Sequence, residues 1–208
     1  MSRLALCDTS GPLTDLLQKM SGEGGEQWLL GLTRFLRKEN PWEPWRTIVL
    51  GEFRSSEDFL EAFQREGLYA SDWAKDIMSK LEFVASFSEE NDEETDLVDY
   101  STAELVGDNE FTTEEVFAGE TRLGLLDCPA WMGPKLRYDY RNQSDGEIRI
   151  LGMKPIRDSS SRLSVFSLLR GGSMLWLGAR CAGPDSVWSP DSRWLFRRPR
   201  KYQKPLDA

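Results

Sequence analysis

The chain of 208 residues contains no histidine. That one absence removes the Ser-His-Asp triad, the Cys-His dyad, the HExxH zinc site and the HxE deaminase signature together. Neither GxxxxGK[ST] nor GxGxxG occurs, so the usual phosphate-cradling loops are missing as well. No apolar run approaches the 18 or so residues of a membrane helix, and Met1 to Met20 carries Asp8 and Asp15 without a long apolar stretch. This predicts neither a membrane span nor a secretory signal. Only three cysteines occur, Cys7, Cys128 and Cys181, far apart, which argues against a disulfide framework and a zinc site and for a reducing, cytoplasmic setting. No cofactor or metal is expected.

What is present is charge and tryptophan. The net charge of −9 divides unevenly, about −16 over residues 1–124 and +7 over 125–208. Attraction between the halves within one fold is the simplest account of that split. The apolar content of 39% suffices for a packed core.

Residues 1–25 read as a flexible arm with one short helical turn at Leu13, Leu16 and Leu17, ending in the linker Ser21-Gly22-Glu23-Gly24-Gly25. Trp28, Leu29, Leu32, Phe35 and Leu36 then follow helical spacing up to Asn40-Pro41. Thr47 to Leu50 reads as a strand. Ser55 with Asp58 forms an acidic capping box for a helix that stops at Gly67, Ser71 caps a second helix with Trp73, Ile77 and Met78 inward, and Thr112 with Glu115 opens a third that ends at Gly124. Leu81 to Phe87 and Leu97 to Tyr100 look extended. The acidic run Glu89 to Glu94 has the composition of a solvated loop, without the ligand pattern of a calcium site.

Beyond Gly124 five runs are bounded by turn residues: Leu136 to Arg141, Glu147 to Ile156, Leu163 to Leu169, Met174 to Cys181 and Arg193 to Arg198. The expected fold is therefore α+β, with N-terminal helices packed on a C-terminal antiparallel β-meander of about five strands. Residues 26–198 form one domain, helical and acidic over 26–124, β-rich and basic over 125–198, with a basic tail at 199–208.

Eight tryptophans carry large burial energies, about 1.5 to 3 kcal/mol each, so core membership is their default role. Trp42, Trp45, Trp131 and Trp188 adjoin loop prolines and are the candidates for a partner-binding surface. Arg197, Arg198, Arg200 and Lys201, joined by Arg137, Arg141 and Arg149, could contact phosphates as one basic face. Cys128 before Pro129 reads as a core thiol rather than a nucleophile. Pro184-Asp185-Ser186-Val187-Trp188 is echoed by Pro190-Asp191-Ser192-Arg193-Trp194, which the sequence explains as repeated turn chemistry.

Four blocks carry a resemblance: Leu36 to Trp42, Ser71 to Ile77, Gly124 to Ala130 with Gly133-Pro134, and Trp188 to Trp194. On these the chain resembles a family of uncharacterised bacterial proteins, over about Gln27 to Arg198. The resemblance implies no activity, and Trp131 stands where those proteins carry Glu. The leading expectation is a non-enzymatic interaction module with a protein partner. The alternatives are a histidine-free enzyme with an Asp/Glu/Arg cleft and a nucleic-acid-binding accessory protein using the basic half.

Overall fold

A computed structural model describes residues 6–22, 25–36, 43–87 and 94–199. The helix α3 (Ser56–Glu66) begins where the sequence places it. The Asp58 amide donates to Ser55 Oγ at 3.2 Å while Ser55 N–H donates to Asp58 Oδ2 at 3.0 Å, so two orphan donors are satisfied reciprocally. Gly67 ends it in the left-handed region, φ 64°, where a Cβ would be strained. Ser71 caps α4 (Asp72–Met78) through Ala74 N–H, and Thr112 caps α7 (Thr113–Arg122) with Glu115 completing the box. These three starts are local chemistry, and local chemistry is what a sequence displays.

The remaining helices are α1 (Leu6–Ser21), α2 (Gly25–Leu36), α5 (Leu81–Val84), α6 (Thr102–Leu105) and α8 (Met132–Asp139). Three depart from expectation. Helix α1 spans sixteen residues where one turn is expected, and it lies against α2 with Lys19 Nζ 4.7 Å from the Trp28 ring. Helix α5 replaces an extended reading: one turn suffices to bury Phe83, which meets Phe87 and Phe166 edge-on. Helix α8 replaces the first predicted strand. Leu136 and Tyr140 are both buried and lie four residues apart, so they share a helix face as well as a strand face, and Pro134 is tolerated because first-turn amides have no intrahelical partner.

The strands are β1 (Arg46–Ile48), β2 (Tyr69–Ala70), β3 (Thr95–Ser101), β4 (Phe111–Thr112), β5 (Ile148–Leu151), β6 (Ile156–Arg157), β7 (Leu163–Gly171), β8 (Met174–Cys181), β9 (Val187–Trp188) and β10 (Arg193–Arg197). The class is α+β, but the sheet is not a meander of five. It has eight strands, ordered β1-β3-β10-β5-β7-β8-β2 with β6 beside β7, while β4 and β9 form a separate pair. Strand β10 inserts between β3 and β5, antiparallel to the first and parallel to the second; β2 joins β8 in parallel. Long connections make those parallel pairs, which hairpin-length turns cannot.

One sheet face bears Leu97, Leu151, Phe166, Leu168, Leu177 and Leu195, all buried. It packs on α3, α5 and α8, where an added Cβ at Gly133 would lie 2.5 Å from the Phe166 ring, so only glycine lets α8 approach this closely. The opposite face is covered over β3 and β10 by Phe117 of α7, whose ring meets Trp194 at 6.2 Å and Phe196 at 5.9 Å. Over β7 and β8 that second face borders a cleft, with no described helix laid across it.

The Pro-Asp-Ser echo is more than turn chemistry. Strand β3 pairs with β10 and then enters α6 through Ser101-Thr102-Ala103-Glu104; β4 pairs with β9 and enters α7 through Thr112-Thr113-Glu114-Glu115. In the first copy Thr102 N–H donates to Ser192 O at 2.9 Å and Trp194 Nε1 donates to Thr102 Oγ1 at 3.2 Å. In the second, Thr113 N–H donates to Ser186 O at 2.9 Å and Trp188 Nε1 to Thr113 Oγ1 at 2.8 Å. Two copies of one strand, cap and tryptophan arrangement thus sit side by side, their indoles in contact at 4.7 Å.

Candidate functional site

The described tryptophans of the expected aromatic surface do not form an exposed patch together. Trp131 is 1% exposed and Trp188 6%, so neither indole can be offered broadly to a partner: both sit beside loop prolines, yet those loops close over the core. Trp45 is half-buried and packs edge-on against Tyr140 at 5.0 Å. Trp42 lies outside the described residues, as do Arg200, Lys201 and 88–93 of the acidic run.

The expected basic face also disperses. Arg137 is fully buried and donates to Gln143 Oε1 at 2.6 Å and to the Tyr140 carbonyl at the end of α8, where a cation complements the helix dipole. Burial, more than repulsion from Arg141 and Arg170, lowers its pKa to about 10. Arg149 pairs with Asp99 and Glu147, Arg197 donates to the Asp127 carbonyl at 2.5 Å, and Arg198 to the Glu43 carbonyl at 3.5 Å. Cys128 is core, as its sequence context indicates; burial pushes its thiol far up, and Sγ donates to Leu195 O.

Two clefts remain. The first, of about 810 Å³, lies between α2 and the end of β3, and carries Arg34 of α2, Asp99 of β3, Glu104 of α6 and Arg193 of β10. Its central charges, Arg34, Asp99, Glu104 and Arg193, are spent on one another. Arg34 pairs with Glu104 at 3.1 Å and donates to Asp99 O at 2.7 Å; Arg193 bridges Glu104 at 3.3 Å and Asp99 at 3.0 Å; Arg149 meets the other Asp99 oxygen at 2.9 Å and Glu147 at 3.2 Å. Tyr140 donates to Glu147 at 2.8 Å. Burial works against the Glu104 charge, but the Ser101 amide, Arg34 and Arg193 outweigh it and hold its pKa below the ordinary value. This ladder fastens α2 to the sheet.

The second cleft, of about 690 Å³, is the open half of the sheet. Antiparallel partners point to the same side, so the pairs Ser167↔Gly178, Leu169↔Trp176 and Val165↔Arg180 put Ser167, Leu169, Trp176 and Arg180 on one face. Gly178 keeps this floor low, because a Cβ there would come within 2.7 Å of the Leu169 side chain. Tyr69 stacks on Trp176 at 4.9 Å. Trp73 of α4 walls one side with 57% of its surface exposed, not inward as the helix periodicity suggested, and Arg162 lies 4.7 Å from its ring. Trp188, Ser189 and Ser192 wall the other. Of the described candidate tryptophans, only Trp188 borders this groove.

Two polar groups in the groove lack partners among the described residues. Ser167 is 1% exposed and its hydroxyl makes no hydrogen bond to a described residue. Arg180 Nε is likewise buried without a partner, and no ion pair joins its guanidinium to a described residue. Burying such groups unsatisfied costs about 1–3 kcal/mol each, a cost that a water or a ligand in the groove would relieve. Among the described residues the lining holds no carboxylate, on a protein of net charge −9. Sequence reading missed Trp176 and Arg180; their period-two spacing with Gly178 was visible, but not that no described helix covers them.

No helix among the described residues is long and apolar enough to cross a membrane. No protein-family model matches the chain, and no curated protein or solved structure does either.

Proposed function

We propose that this protein is a non-catalytic binding module that takes a ligand with an anionic group into the groove over β7 and β8. The unpartnered Arg180 guanidinium carries this reading. A planar fork of donors in a lining that holds no described carboxylate favours carboxylate or phosphate, and Ser167 adds a hydroxyl on the same sheet face. Trp176 and Trp73 supply flat apolar surface for the neighbouring part of the ligand. A cleft of about 690 Å³ lies in the range of small-ligand sites. The lining offers serines, one thiol and one guanidinium but, among the described residues, no carboxylate to take up a proton, which supports binding over catalysis. A cytoplasmic location belongs to the same proposal, supported by the unpaired Cys128 and Cys181, and so does the resemblance to an uncharacterised bacterial family.

Phenyl phosphate, an aryl group with one anion, tests the reading. It is expected to change tryptophan fluorescence saturably in the wild type and at least tenfold more weakly in Arg180→Gln. Equal titrations, or none, would remove the proposal.

A further inference from the structure

We infer that the natural occupant of this groove is a protein segment carrying one Asp or Glu flanked by apolar residues. The inference rests on the anion-binding reading above and names its partner.

The number of free cations decides between ligand classes. Around the groove Arg162 is tied to Asp158 at 3.1 Å, Arg170 donates to the Gln143 and Gly172 carbonyls, and Arg157 donates to Ser161 O. That leaves Arg180. A nucleic-acid strand brings a phosphate with every nucleotide, and its affinity comes from neutralising several of them. One guanidinium on a protein of charge −9 suits one anion. The surroundings are apolar: Tyr69, Trp73 and Val187 are 43%, 57% and 60% exposed, a rim that a single small anion would leave uncovered. Exposed aromatic and apolar residues around a half-buried charged anchor are the anatomy of a protein interface, with Trp and Arg its usual centres. A carboxylate on Arg180, with its neighbours on Trp176 and Trp73, covers both.

A display library of random heptapeptides selected on the full chain tests this. Wild type is expected to enrich Asp or Glu beside apolar residues. The best selected peptide should bind about tenfold more weakly to Arg180→Gln, and Arg180→Glu should select Lys or Arg instead. Arg180→Lys should keep the acidic preference, which guards against a misfolded variant, and circular dichroism of all variants should match wild type. Selection of basic or purely apolar peptides, or tighter binding of a single-stranded oligonucleotide than of any peptide, would overturn the inference. Failure to select any peptide while phenyl phosphate still binds would overturn it and leave the anion site standing; failure of phenyl phosphate as well would remove both.

Discussion

Replacing Thr102 by Val removes the acceptor of Trp194 Nε1 and leaves a buried indole N–H without a partner, because Trp194 is 0% exposed. The expected loss is about 1–3 kcal/mol, the cost of stranding a buried donor. Trp194→Phe removes the donor together with part of the ring, at a comparable cost from the space left behind. In the double variant no indole N–H remains to be stranded by the missing hydroxyl, so the two losses should fall short of additivity by about 1 kcal/mol. Thr113→Val and Trp188→Phe form the matching cycle in the second copy, where the hydrogen bond is 2.8 Å long. If both copies are one arrangement used twice, the two coupling energies agree within about 0.5 kcal/mol. Urea unfolding followed by circular dichroism is the assay, since fluorescence would change with the tryptophans themselves. Coupling near zero in both cycles, or present in only one, would refute the claim that shared geometry carries shared energetics.

Two further perturbations test the packing and the charges. Gly119→Ala would place a Cβ 2.6 Å from the Leu105 carbonyl oxygen, forcing α7 off α6, and should cost about 1–3 kcal/mol by thermal unfolding; no change would mean that the helices do not approach so closely. Burial, aided by repulsion from Asp127 and opposed by Thr121 and Arg197, raises the Glu120 pKa to about 7. An acid raised in the folded state stabilises the fold fully below its unfolded pKa and loses that contribution as pH climbs through the folded value. Stability should therefore fall between about pH 4.5 and 7, and Glu120→Gln should flatten that fall, as urea midpoints across the range would report; an unchanged profile would contradict it.

What the sequence displayed was what neighbours decide. Ser55 with Asp58, Ser71, and Thr112 with Glu115 open their helices as read, since each cap is completed within four residues. The box Ser101 to Glu104 escaped notice because it follows directly on β3. Strand order was invisible: whether β10 lies beside β5 depends on contacts between residues more than forty positions apart, and no turn signal encodes them. Leu136 and Tyr140 misled because both periodicities accommodate a spacing of four. The candidate site failed for a related reason. Trp131 and Trp188 adjoin prolines yet close over the core, while Trp176 and Arg180 look like ordinary strand residues and stay open because α7 covers only the other half of the sheet.

The central claim is that an anion enters over β7 and β8 and is held by Arg180. Nitrogen-15 spectra of the arginine Nε and tryptophan Nε1 groups, recorded while phenyl phosphate is added, test it most directly. The account predicts shifts at Arg180 and Trp176, with Trp131 and Trp194, both at most 1% exposed, unmoved. Shifts at Arg34 and Arg193 in the other cleft, with Arg180 still, would contradict it.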